Sequence, residues 1–475
     1  MNSILPVAVV VVYVLLLTCV ALRARAAKQF EDFSLARRQL PLALVFGSLA
    51  ATYVGPGFSI GFVGRGFRSG LLFWLIGLAY ALQNILVGIF VAPKLRELKG
   101  CHTLGDAIGQ KYNRQCQVLA GVISVGLCAA FSAVMAKAGG DVLQDMFGLP
   151  PWSSVVVVVG ITVLYTTFGG LRASVITDAF QFSTFAILVP LILFVILLHR
   201  FSGTETLAKE AYTATREGFN ATSPMEIVGL LAAFFLGEML IPPYANRALA
   251  SKTTRVSRYG FVLAGIFSAI WFLVVIALGI SARGIIPDST SGDYVLLGLV
   301  KTVMPTYGYA LLLAVLVSVV MSSLDSLLNA GAVAFTQDII KPFTQVTNGT
   351  ALMIGRCATI AIAASAAAAA LAVRDIISGL LICYTIWAPA ILPALIIGLW
   401  VKKPRPLAGI ASMVVGTTIA ILLKFIVPVL VQKQLLHPDF KKFPAIIPAL
   451  AAALLAYALG HLISKELERR KECRL

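Results

Sequence analysis

Thirteen apolar runs, most of them near the ~20 residues a helix needs to cross a hydrocarbon layer, dominate this chain of 475 residues. They fall at about residues 4–22, 40–64, 71–92, 117–147, 152–168, 173–199, 226–245, 259–282, 308–335, 351–372, 376–400, 407–430 and 443–463. Lipid offers no hydrogen-bond partners, so such runs must pair their own backbone groups and read as membrane-spanning helices. Composition agrees: 12% of residues are charged, against ~25% in a soluble domain. A water-soluble protein and a disordered chain are both excluded. The expected fold class is an all-α polytopic membrane protein with about thirteen transmembrane helices.

The net charge of +17 resembles a nucleic-acid signal until positions are read. The basic residues sit mainly in connections, where the positive-inside rule puts them. With alternating spans, the side holding Arg23 carries 25 of the 38 Lys and Arg and the other side 13. That bias predicts an N-terminus outside, a C-terminal tail (464–475) in the cytoplasm, and residence in the plasma (inner) membrane; no nucleic-acid partner is expected. The run from Ile4 to Leu22 has its basic residues after it (Arg23, Arg25, Lys28), which reads as a retained span. Seven scattered Cys with no C-x-x-C pair imply neither a disulfide framework nor a transition-metal site.

Two runs are interrupted. The second contains Gly55-Pro56-Gly57, where proline removes a donor and glycine makes unwinding cheap. The seventh contains Gly237-Glu238 followed by Pro242-Pro243. Paired interruptions in corresponding members of two halves mark an inverted-repeat transporter, although a proline kink accounts for either one alone. With the first span (4–22) peripheral, residues 40–199 and 226–400 form two five-helix repeats, and 407–463 supplies two extra spans.

The ninth run carries Ser318, Ser322, Asp325, Ser326 and Asn329 on one helical face. A carboxylate with hydroxyls at this depth is costly and usually functional. Oxygen donors without Cys or His suit a hard cation. Serines hydrogen-bonding between helices are the simpler alternative, and they explain Asp325 poorly. Among other charges in apolar runs, Asp178 sits where a helix-capping role is the plain reading. Lys137 and Asp141 suit a local salt bridge better than solute binding. Glu238, beside the second break, is open to solute binding, proton carriage or pairing with a base.

Several of these segments look familiar. Tyr165-Thr166-Thr167-Phe168-Gly169-Gly170-Leu171-Arg172-Ala173, with Thr177-Asp178 and Gln181, resembles the signature of the sodium/solute symporter family. Ser322-Ser323-x-Asp325-Ser326-x-x-Asn329, ending in Asp338-Ile339, resembles its eighth core helix. Asp32-Phe33 with Leu40-Pro41, and Asn246-Arg247, also stand in family order. The resemblance implies the five-plus-five inverted-repeat fold of the leucine-transporter type, with one extra N-terminal and two extra C-terminal helices, working by alternating access. It implies a sodium site built from the carbonyls of Ala51, Val54 and Val319 and the hydroxyls of Ser322 and Ser323. Asp178 and Ser326 match positions that hold a second sodium in some members. Asp325 departs from the serine expected there, which leaves a second cation or a proton open.

By the same resemblance the solute site lies beside the breaks, lined by Thr52, Tyr53, Phe58, Gln83, Asn84, Trp271 and Tyr384, with Glu238 a further candidate from its place at the second break. Sugar-transporting members carry polar groups where this chain has Phe58, Ile241 and Pro243. An amino acid or small carboxylate is therefore preferred, since half-helix N-termini attract anions. The expected function is sodium-coupled symport of a small organic solute, with proton-coupled symport and transporter-like sensing as alternatives. Sensors usually carry an attached signalling domain, which this sequence lacks. The G-x-S-x-G at Gly57–Gly61 lacks the strand, His and acid that a hydrolase needs, and no phosphate-cradling loop is present. No enzyme activity, organic cofactor or obligatory protein partner is expected; the partners are solute, Na+ and the lipid bilayer.

Overall fold

In the computed structural model the second apolar run bends where its proline requires. Helix Leu42–Tyr53 gives way at Pro56 to a π-helical turn, Gly57–Gly61, and then to helix Phe62–Ser69, the two arms bent by 58°. The structure describes residues 4–23, 27–200, 204–437 and 444–472; Arg25 and residues 473–475 of the expected tail lie outside the described residues. Among the described residues the chain is helical, with a single isolated bridge between Leu40 and Ser251. Nine of these helices are long and apolar enough to cross a membrane, or up to eleven when each of two sharply bent pairs counts as one span.

The seventh run is interrupted more widely. Helices Pro224–Leu236 and Pro242–Ala250 flank an unwound stretch, 237–241, in which Leu240 adopts a left-handed φ of 50°. That conformation is uncommon for a side chain of this size. Trp387 Nε1 donates to the Met239 carbonyl at 2.9 Å and so satisfies one of the freed backbone groups.

Elsewhere the boundaries differ from expectation. The fifth and sixth runs are two helices that meet without a connecting loop within Pro151–Arg200, at the non-helical Gly170 (φ 61°, ψ −166°). A Cβ on Gly170 would stand 2.6 Å from Phe33 Cα, so the close approach of helix Phe30–Leu35 requires glycine there. The connection after it contains a helix, Thr204–Ala221, whose Glu217 pairs with Arg283 at 2.7 Å.

Burial sorts centre from periphery. The most apolar window of the segment Thr306–Ile340 is 94% buried, against 11% for Pro406–Gln432. The helix bearing the polar stripe is thus the axis of the molecule. The first helix, Ile4–Arg23, packs against that axis, and Tyr13 donates to Ser318 Oγ at 2.7 Å. In the connection after residue 97, Thr103 caps helix Leu104–Lys111 by accepting the Asp106 N–H at 2.9 Å. The Asp106 carboxylate accepts from the His102 N–H at 2.8 Å and from Gln117 Nε2 at 2.6 Å. Burial pushes Asp106 up to about 6, with the His102 N–H pulling the other way.

Candidate functional site

The first break leaves backbone oxygens free to act as ligands. Pro56 has no N–H for the Thr52 carbonyl, and Gly55 N–H turns to that carbonyl at 3.2 Å. In a continued helix Gly55 would have bonded Ala51, so the Ala51 carbonyl is released. The N–H groups of Phe58 and Ser59 both bond the Gly55 carbonyl at 2.9 Å, which leaves the Val54 carbonyl with the Ser59 hydroxyl. Ser323 Oγ on the axial helix is buried and has no partner among the described residues. A Cβ built on Gly55 would stand 2.7 Å from it. The unpartnered Ser323 hydroxyl therefore stands against the first break at Gly55, beside the Thr52 carbonyl and one turn from the released Ala51 carbonyl. A set made only of oxygen fits an alkali cation.

Ser322 lies on the next position and donates to Asp178 Oδ1 at 2.6 Å. Asp178 is not a helix cap. It lies eight residues beyond the Gly170 kink, fully buried, and pairs with Arg247, whose Nη2 is 3.0 Å from Asp178 Oδ2. Ser48 donates to the same oxygen at 2.5 Å and accepts from Arg247 Nε at 2.9 Å. Arg247 also donates to Ser326 Oγ and, at 3.0 Å, to the Pro243 carbonyl. Asp325 Oδ1 accepts from Ser174 at 3.0 Å and Ser326 at 3.2 Å, while its Oδ2 has no partner among the described residues.

Beside the oxygen set is a small cavity of about 20 Å³, room for one water-sized group in this conformation. Of the residues expected around a solute, it brings together Thr52, Phe58 and Glu238, with Ser323 on the same wall. Phe131, Met135, Ile241, Tyr244, Leu327 and Leu380 join them. The remaining expected residues stand back from it. Tyr384 reaches it through Glu238, donating to Oε1 at 2.7 Å. Trp271 Nε1 donates to Ser59 Oγ at 3.2 Å, and Asn84 to the Tyr80 carbonyl at 3.1 Å. Gln83 and the Tyr53 hydroxyl are buried without partners among the described residues. Ser59, the serine of the G-x-S-x-G string, is bound to Val54 and Trp271, and Gly57 and Gly61 abut Leu380 and Ile377 of helix Ile376–Trp400, so the string is a packing motif. Lys137 forms the local bridge to Asp141 at 2.5 Å.

Sequence reasoning missed Phe131 and Tyr244. Phe131 lies in an unbroken apolar helix that carries no local signal. Tyr244 lies past the second break, where a tyrosine after two prolines could have been read as the second half-helix aiming a hydroxyl back at Glu238.

The sequence profile of the Sodium:solute symporter family matches residues 33–416. The chain belongs to the sodium:solute symporter family. Among individual members, it is 25% identical to the sodium/pantothenate symporter of Escherichia coli over 97% of this chain and 96% of that one. It is 26% identical to the sodium/glucose cotransporter of Vibrio parahaemolyticus, with 84% and 80% covered. A Na+-coupled sialic acid symporter, solved in a substrate-bound outward-open state, shares the fold with a TM-score of 0.82 over 98% of both chains, at 15% identity. Symporters of this family take sodium as the coupling ion, which accords with an oxygen-only donor set at the first break.

Proposed function

We propose that this protein moves a small organic solute across the plasma membrane with sodium by alternating access, through a cation site made by Ala51, Val54, Val319, Ser322 and Ser323. The observation that carries the reading is the approach of the unpartnered Ser323 hydroxyl to Gly55 at the first break, where the Ala51 carbonyl has lost its helical partner. Thirteen crossings follow when the first helix counts as a span, the stretch Pro151–Arg200 divides at Gly170, and the two arms of the second run and the two halves of the seventh each count as one. The two broken helices then open two five-helix repeats, 40–199 and 226–400, with the N-terminus outside and the tail in the cytoplasm. A second cation would have to share its site with Arg247, which already donates to Asp178 and Ser326. The oxygen left free for it is Asp325 Oδ2.

Solute reaches the cation site from the side of Thr52, Phe58 and Glu238; Tyr53, Gln83, Asn84, Trp271 and Tyr384 surround that approach. A cavity this small in the closed arrangement supports gating by rearrangement of the broken helices. Radioactive sodium binding to the purified protein, with and without competing potassium, tests the site without knowledge of the solute. Saturable binding that Ser323→Ala weakens is expected. Binding of sodium no tighter than potassium overturns the reading. Uptake of labelled pantothenate, glucose and proline into proteoliposomes, driven by an inward sodium gradient, then tests symport.

A further inference from the structure

We propose that the transported solute carries a positive charge on nitrogen, as an amine or a quaternary ammonium, alone or in a zwitterion, and that Glu238 recognises it. This rests on the symport reading above and names the solute class for the same site.

Glu238 is 4% exposed and stands on the unwound stretch 237–241. Its Oε1 accepts from Tyr384 and its Oε2 from Tyr244, each at 2.7 Å. Both donors are neutral hydroxyls. They orient the carboxylate without balancing its charge. Among the described residues no Lys, Arg or His lines the cavity. The buried guanidinium of Arg247 is committed to Asp178, Ser48, Ser326 and the Pro243 carbonyl. A carboxylate held this deep in a membrane protein calls for a cationic counterpart. Here the protein supplies none on the cavity wall.

The walls suit the same ligand. Phe58, Phe131 and Tyr244 face the cavity. Tyr384 packs between Phe131 and Phe234, with centroids 5.9 and 5.6 Å away, and Phe58 lies 4.5 Å from Tyr80. Aromatic faces attract ammonium groups through their quadrupoles, more strongly where water is excluded. A carboxylate inside an aromatic enclosure is a receptor for cationic nitrogen.

The second half-helix offers an anion little. Pro242 and Pro243 have no N–H, and the next two donors, on Tyr244 and Ala245, both bond the Ile241 carbonyl at 2.8 and 3.1 Å. The dipole end that would attract a carboxylate therefore presents no free N–H in its first four positions. Thr52 likewise spends its hydroxyl proton on the Ser48 carbonyl at 2.9 Å. This narrows the sequence-based preference for an amino acid or small carboxylate to solutes with a cationic nitrogen.

The test is thermal unfolding of the purified full chain in detergent, in sodium and in potassium buffers of equal ionic strength. The probes are choline, glycine betaine and proline as nitrogen cations, propionate and pantothenate as anions, and glucose as a neutral solute. Sodium alone should raise the melting temperature, and at least one nitrogen cation should raise it further only when sodium is present. Glu238→Gln should keep the sodium response and raise the half-effective concentration of that solute by about tenfold or more, the loss of a charged hydrogen-bonding partner. Tyr384→Phe, which keeps the ring packing, should weaken the same solute to a smaller degree; it carries the test if Glu238→Gln does not fold. A sodium response accompanied by stabilisation from anions or glucose alone, or from no nitrogen cation, overturns the proposal. So does a folded Glu238→Gln or Tyr384→Phe that responds to the nitrogen cation as the parent does. Absence of any sodium response in the parent overturns the symport reading instead.

Discussion

Arg247 Nη2 lies 3.0 Å from Asp178 Oδ2, and neither side chain has any solvent exposure. The same guanidinium reaches Ser48 on the first broken helix and Ser326 on the axial helix, so three elements that converge on the candidate cation site are tied to one cation on the second broken helix. Removing one partner strands the other charge. Asp178→Asn and Arg247→Gln should each lower stability by ~3–5 kcal/mol, and the double variant should lose less than the sum. Denaturant unfolding in detergent measures this. Additive losses would mean that the two side chains act independently.

Ser323 offers a cleaner test of the ligand set, because its hydroxyl bonds nothing among the described residues. Ser323→Ala should leave yield and melting temperature in potassium unchanged while the half-saturating sodium concentration rises about tenfold, equivalent to ~1.4 kcal/mol. A sodium dependence equal to that of the parent would remove Ser323 from the site.

Gly170 holds a left-handed backbone with the Phe33 main chain against it. Alanine adds both torsional strain and a contact at 2.6 Å with an atom that cannot rotate away. Gly170→Ala should therefore destabilise by more than the ~1 kcal/mol that a positive φ alone costs, read as a lowered melting temperature. Gly160→Ala, where a Cβ meets nothing within 4 Å, is the control and should hold or raise the melting temperature.

Much of this was legible before any coordinates. Pro56 and Pro242-Pro243 mark the two breaks because proline removes a donor wherever it stands. The face containing Ser322, Asp325 and Ser326 follows from helical spacing alone, and all three are buried. What could not be read is which side chains meet across helices. Asp178 looked like a cap because its partner, Arg247, is 69 residues away. Glu238 could have met a base; the fold gives it two tyrosines, one of them 146 residues distant. The division of Pro151–Arg200 into two spans, by contrast, was legible as polarity at 166–172, and the helical backbone breaks there at Gly170. Periodicity reports which face of a helix is buried, and it carries no information about the neighbour that buries it.

Asp106 gives the fold a pH signature that can be measured without a solute. Its folded value of about 6 stands above the ordinary 3.8, because burial opposes the charged form more than the His102 N–H and other hydrogen bonds favour it. The folded chain therefore binds this proton more tightly than the unfolded chain does. The contribution is fully present below pH ~4 and is lost as pH rises through ~6. Asp106→Asn removes the titrating group while keeping one carbonyl oxygen for Gln117 or the His102 N–H. Between pH ~4 and ~6 the melting temperature of the parent should fall relative to that of Asp106→Asn, with the difference levelling off above pH ~7. Parallel pH profiles for the two proteins would show that Asp106 ionises in the folded state as it does in water.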